Sequence, residues 1–251
     1  GGSGYWDTTQ TNWWDKTATA LWPNIGDEAI FTGEFVAGEA TLRRVTLASG
    51  MVANKLTFQR SGYTLSGGDL TLVGPIPTLQ ASLGETAIIE SLIQGTEGLT
   101  KTGAGTVTLN GANTYTGGTT VSLGALSLGN TGGLAATGSV AINGGTLTSS
   151  VANVNLGTGA VSMSSGAITP DGAGTAGSFT LAANQTFTTT GGTLNFDIGA
   201  SFDQIIGSGS GSFSLANTTL ALNSDVSATS SYLRFSGFSS RSVSNPTITG
   251  L

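Results

Sequence analysis

Neither cysteine nor histidine occurs in this sequence. Without Cys there is no disulfide, no zinc–thiolate site and no thiol nucleophile. Without His the commonest general base and metal ligand are gone as well. Charge is scarce: 9% of the residues are Asp, Glu, Lys or Arg, and 14 acidic side chains against 8 basic ones leave a net charge of −6. Such a chain is unsuited to DNA, RNA or an anionic membrane surface, all of which require clustered Lys and Arg. No apolar run approaches the ~20 residues of a membrane-spanning helix, so no transmembrane segment is expected. Apolar residues at the three-and-four spacing of a helix are also nearly absent, which leaves very little helix to expect.

What the chain has is glycine, threonine and serine: 40, 40 and 29 of its 251 residues. With 38% hydrophobic residues it does not have the low-hydrophobicity, highly charged composition of disorder. Single Val, Leu, Ile and Phe stand at every second position between small polar residues, the pattern of a pleated surface with one buried face. At this length the chain can bury a sizeable core as one all-β domain. Its first residues are Gly1-Gly2-Ser3-Gly4. The expectation is a mature secreted terminus left by signal-peptide removal, the alternative a residual linker.

The first 35 residues differ from the rest. All four tryptophans are here (Trp6, Trp13, Trp14 and Trp22), with Tyr5 and Phe31, and an aromatic-Trp-Asp motif occurs at Tyr5–Asp7 and again at Trp13–Asp15. Residues 1–101 also carry 16 of the 22 charged side chains. The division expected is a Trp-rich N-terminal segment or cap over 1–35 and a uniform body over 36–251.

The body repeats a short strand, a Gly-bearing corner and a second short strand. Copies are Tyr63–Leu70, Val140–Leu147, Val161–Ile168 and Phe187–Leu194, with a shortened one at Val121–Leu126. Leu126, Leu147 and Ile168 are each 21 residues apart, and Leu194 follows after 26, which implies a five-residue loop insertion. A period near 20 with short strands indicates a solenoid. The fold expected is a right-handed parallel β-helix (β-solenoid) with rungs of about 20 residues. About twelve rungs ~4.8 Å apart would make a rod of roughly 55–60 Å. A β-sandwich built from hairpins is the runner-up, since Asn110-Gly111, Asn143-Gly144 and Asp171-Gly172 are turn-type dipeptides.

Within the body, Lys101-Thr-Gly-Ala-Gly-Thr-Val-Thr-Leu109 followed by Asn113-Thr-Tyr-Thr-Gly-Gly-Thr-Thr-Val121 strongly resembles the autotransporter-associated β-strand repeat of bacterial surface proteins. The match covers residues 98–129. The resemblance implies secretion to the bacterial cell surface, a right-handed parallel β-helix and no enzyme activity in this segment. On their own terms the residues fit: Val107 and Leu109 would point inward, Thr106 and Thr108 outward, and Tyr115 would cover a corner.

Site chemistry is sparse. A polysaccharide-degrading enzyme would need paired carboxylates in one groove, but Asp171, Asp197, Asp203 and Asp225 share no repeat position, and Asp197 and Asp203 read as solvated corner carboxylates. No cofactor and no metal site is expected. Arg43, Arg44 and Arg60 read as a solvated rim, paired with Glu34 and Glu39. Tyr5, Trp6, Trp13, Trp14 and Trp22 are candidates either for a cap over the open first rung or for stacking on sugar rings. Tyr232, Phe235, Phe238, Val243 and Ile248 at one end, and Gly1 and Gly4 at the other, are candidate polymer contacts, because the last strands carry few blocking charges. The leading expectation is therefore an extracellular structural rod that self-associates end to end into a filament, layer or matrix. The alternatives are a monomeric adhesin that binds cell-surface or matrix glycans through its Trp-rich end, and an enzyme on polysaccharides.

Overall fold

The computed structural model describes residues 4–11, 13–14, 18–33, 43–129, 134, 137–170, 177–198, 203–224, 234–236 and 238–249. Among them the chain winds through three parallel faces, each coil contributing short strands to two of them and most coils one to the third. Sheet 1 begins at Glu28–Phe31 and continues through Lys55–Phe58, Thr78–Ala81, Leu99–Thr102 and Thr119–Val121. Sheet 2 begins at Gly4–Trp6 and continues through Arg43–Leu47, Tyr63–Gly67, Thr86–Ile89, Thr106–Leu109 and Ala125–Leu128. Val140–Ser149 and Val161–Thr169 run through both, bending at Gly144 and Gly166, so the two faces are hydrogen-bonded as one 19-stranded sheet. Sheet 3 is broken into Met51–Ala53, Leu70–Leu72 and Ile93–Gln94 and, further on, Asn153–Asn155, Ser178–Ala183, Gln204–Ser208 and Arg234–Ser236. Between these parts the ladder is carried by single bonds from Thr114 N–H to Ile93 O at 2.9 Å and from Thr116 N–H to Gly95 O at 3.0 Å.

Every strand pair among the described residues is parallel except one, Trp13–Trp14 with Thr19–Ala20, so the hairpin-built sandwich is ruled out and the solenoid stands. The ladder of sheet 2 contains eleven strands where about twelve were expected, a stack of about 48 Å at the usual strand spacing. The recurrence read from the sequence is the true register: Leu126 lies over Leu147, Leu147 over Ile168, and Ile168 over Leu194. The coil length is less constant than the central repeats imply. It is 20 residues from Thr86 to Thr106, 19 from Thr106 to Ala125, 26 from Thr193 to Thr219 and 28 from Thr219 to Thr247. The extra residues fall between sheets 2 and 3, with three residues between Ser149 and Asn153 but eight between Thr169 and Ser178.

One repeat unit is out of phase. Val140–Leu147 and Val161–Ile168 turn at the corner from sheet 1 to sheet 2, whereas Tyr63–Leu70 turns at the corner from sheet 2 to sheet 3. A strand, two glycines and a strand read alike at either corner, because each corner needs backbone room and not a particular side chain.

Alternation decides what is inside. Val107 and Leu109 are buried, with Thr106 and Thr108 on the outer face as expected, and Leu79, Val121, Ile142 and Met163 stack in one inward column. Parallel in-register stacking of like side chains lets a narrow core pack without voids. Aromatic residues thicken this core towards its ends: Phe31 stacks on Phe58 at 4.8 Å, and Phe187 on Phe213 at 5.4 Å.

Candidate functional site

The N-terminal coil gathers the aromatic residues. Strand alternation turns Trp6 into the core and Tyr5 out. Trp6 is completely buried, its ring edge-on to Trp13 at 5.2 Å, to Trp22 at 5.0 Å and to Phe31 at 6.0 Å. Trp22 is buried too, and its indole N–H donates to Val52 O at 3.1 Å. Asn24 works beside it: its Oδ1 accepts from Val52 N–H at 2.6 Å and its Nδ2 donates to Gly50 O at 3.1 Å. Two side chains thus satisfy backbone groups of Met51–Ala53, the first strand of sheet 3, where a preceding strand would otherwise be needed. Trp13 is half-buried, and the side chain of Trp14 lies outside the described residues. Tyr5 is 60% exposed. After Tyr5 and Trp6, Asp7 accepts hydrogen bonds from Thr9 N–H at 2.7 Å and Gln10 N–H at 2.8 Å, which hold its carboxyl below the usual range.

At the other end of the rod, Phe238 is buried against Phe213 at 5.3 Å. Val243 lies over Leu215 and Ile248 over Leu220, so both continue core columns. Leu215 and Leu220 are buried, but Val243 and Ile248 are 55% and 54% exposed. Gly4 sits in the first strand of sheet 2. Gly1 and Tyr232 lie outside the described residues, as does the side chain of Phe235, whose backbone pairs with Ile205.

Several charged residues are not where the sequence pattern places them. Arg43 is inside: it occupies an inward position over Tyr63, with its guanidinium 5.2 Å from that ring and Nη1 donating to Ser61 O at 2.7 Å. Arg44 is on the outer face, as expected, but its partner is Glu90 at 3.0 Å. Glu34 and Glu39 lie outside the described residues. Asp203 is buried, not a solvated corner carboxylate. Its Oδ1 accepts from Gly177 N–H at 2.7 Å and its Oδ2 from Asp197 N–H at 2.9 Å.

The sequence reading missed Lys101 as a core residue. It is fully buried in the column between Leu79 and Val121. Its ammonium reaches the corner, where it donates to the carbonyls of Thr102 at 2.7 Å, Gly103 at 2.8 Å and Leu123 at 3.1 Å. Gly103, at φ 70°, makes the tight turn that aims two of these carbonyls inward. Burial pushes the amine down to about 8. Loss of hydration disfavours the charged form.

No group of three or more metal-ligating side chains occurs among the described residues, and none of their helices is long and apolar enough to cross a membrane. The Passenger-associated-transport-repeat family matches residues 99–128, the coils that carry Lys101 and Tyr115. Similarity extends well beyond that repeat. The Adhesin BmaC autotransporter of Brucella suis biovar 1 (strain 1330) is 34% identical over 260 residues, covering 92% of this chain and 7% of that protein. The chain therefore spans less than a tenth of the length of the relative it matches. No solved structure matches it. The chain's place is extracellular, at a bacterial cell surface. It belongs to the β-solenoid surface proteins built on the autotransporter passenger-associated repeat, and is related to adhesin-type autotransporters.

Proposed function

We propose that this chain is a rigid adhesive segment of a bacterial surface passenger, a rod closed at its N-terminal end by residues 1–35 and presenting its outer faces to extracellular glycans. The observation that carries this reading is similarity to an adhesin autotransporter along 92% of the chain. The cap role is supported by the burial of Trp6 and Trp22 and by the bonds of Trp22 and Asn24 to the first strand of sheet 3. Among the described side chains of the Trp-rich segment, the ring most available for stacking on a sugar is then Tyr5. Aromatic faces suit the apolar faces of pyranose rings, while neighbouring polar groups meet the hydroxyls. Beads coated with the purified chain are expected to bind host-cell surfaces saturably, and Tyr5→Ala to weaken binding at least tenfold. Binding no greater than that of albumin-coated beads would overturn the adhesive reading. Full binding by Tyr5→Ala would move the contact off this residue.

Exposure of Val243 and Ile248 favours a second reading, end-to-end association. Both residues lie in line with buried core columns yet keep half-exposed aliphatic side chains, of the kind that a further strand would cover. Such a contact joins unlike surfaces, so repetition gives a filament and not a closed dimer. Sedimentation at rising concentration should then show growth beyond the monomer that Val243→Lys with Ile248→Lys abolishes. A single monomer boundary at every concentration would sink the idea.

A further inference from the structure

The outer face of sheet 2, where it starts, carries a line of polar side chains that begins at an aromatic ring. Tyr5 lies over Thr46, and Thr46 over Ser66. Glu90 continues the line, since it follows Ile89 as Ser66 follows Leu65, and Ile89 lies over Leu65. Tyr5 and Glu90 are exposed, and the two hydroxyl residues between them are half-buried. Arg44, two residues before Thr46 on the same face, reaches across to this line. Its Nη1 donates to Ser66 Oγ and to Glu90 Oε2, both at 3.0 Å. At about 4.8 Å per strand the four positions span roughly 14 Å of the rod, the length of about three pyranose rings.

We propose that this strip binds a neutral oligosaccharide laid along the rod axis, with one ring stacked on Tyr5 and two neighbouring hydroxyls of another held by Arg44 and Glu90. The assignment rests on the adhesive reading above and names the ligand class for its Tyr5 contact. A guanidinium only donates hydrogen bonds, and an ionised carboxylate only accepts them. Held 3.0 Å apart, the two meet one hydroxyl as acceptor and the next as donor. Both bonds are charge-assisted, and so stronger than those between neutral groups. The hydroxyls of Thr46 and Ser66 serve the ring between. Charge decides against an acidic sugar. Its carboxylate or sulfate would compete with Glu90 for Arg44 and would meet a second carboxylate at Asp7, two residues beyond Tyr5. The N–H groups of Thr9 and Gln10 bind Asp7 and keep it ionised. The chain as a whole adds to the repulsion with its net charge of −6.

An exposed ion pair contributes little to folding, so Arg44 and Glu90 can be replaced without unfolding the rod. The test is to titrate the full chain onto a printed array of neutral oligosaccharides of glucose, galactose, mannose and N-acetylglucosamine, alongside sialylated and sulfated counterparts. Binding is expected on neutral glycans and not on their acidic counterparts. Arg44→Ala, Glu90→Ala and Tyr5→Ala should each weaken it at least tenfold, with the urea midpoint unchanged. Lys55→Ala, which breaks the exposed pair with Glu28 on sheet 1, should bind like the unaltered chain. Selection of acidic glycans, or full binding of neutral ones by both Arg44→Ala and Glu90→Ala, would overturn the assignment. Coated beads that bind cells while the array stays empty would overturn it alone. Beads that bind neither would take the adhesive reading with it.

Discussion

Trp6→Ala is expected to destabilise the chain by about 4 kcal/mol, as large buried aromatics do when truncated. By strand alternation Trp6 carries the one inward-facing side chain of Gly4-Tyr5-Trp6, and its indole becomes the hub of the N-terminal coil. Three other rings pack on it within 6.0 Å, those of Trp13, Trp22 and Phe31. Phe31 in turn stacks on Phe58, the first inward ring of the following coil. Removing the hub leaves a cavity between the rings of Trp13, Trp22 and Phe31. Guanidinium unfolding would measure the loss, and a calorimeter should record a midpoint lower by roughly 10 °C. Tyr5→Ala next to it should change stability by less than ~0.5 kcal/mol, because that ring is mostly in water. If the two substitutions cost the same, the Trp-rich segment does not plug the core. A red-shifted tryptophan spectrum, fully quenched by acrylamide, would say the same.

The fold was legible in the sequence because a solenoid writes its geometry as a period. Leu126, Leu147 and Ile168 are 21 residues apart and sit over one another. Alternation within Thr106–Leu109 places its side chains without any tertiary information. Phase was harder to read. Tyr63–Leu70 has the strand-glycine-strand form of Val140–Leu147 yet turns at a different corner, and only the pairing of Tyr63 with Arg43 and Ala87 fixes it. The charged core residues were missed for a related reason. Charge normally marks the outer face, but Arg43 shares the inward phase of Val45 and Leu47, and Lys101 that of Leu79 and Val121. Aligning the coils before assigning faces would have found both. What makes those positions tolerable is not local: the Leu123 carbonyl comes from 22 residues beyond Lys101.

Asp203→Ala is expected to cost about 4 kcal/mol, because it orphans two buried N–H donors. Its carboxylate lies 1% exposed at the entrance to Gln204–Ser208. One oxygen takes the N–H of Gly177, immediately before Ser178–Ala183, and the other takes the N–H of Asp197, within Thr193–Ile198. A single side chain thus fastens three strands in two successive coils, where the connection from sheet 2 to sheet 3 has lengthened and regular pairing is interrupted. Hydrogen bonds to a charged acceptor contribute roughly 1.5–3 kcal/mol each, and buried N–H groups left without one carry a desolvation cost of similar size. Asp203→Asn separates geometry from charge. Its carbonyl oxygen can serve one N–H, but the amide NH2 then faces the other, so a loss of about 2–3 kcal/mol is expected even though the shape is kept. Asp197→Ala keeps the backbone N–H that Asp203 binds, and should cost less than ~1 kcal/mol. Urea titrations should find Asp203→Ala the least stable of the three variants, Asp203→Asn intermediate and Asp197→Ala the most stable. Equal midpoints for all three would return Asp203 to the role of an ordinary surface carboxylate.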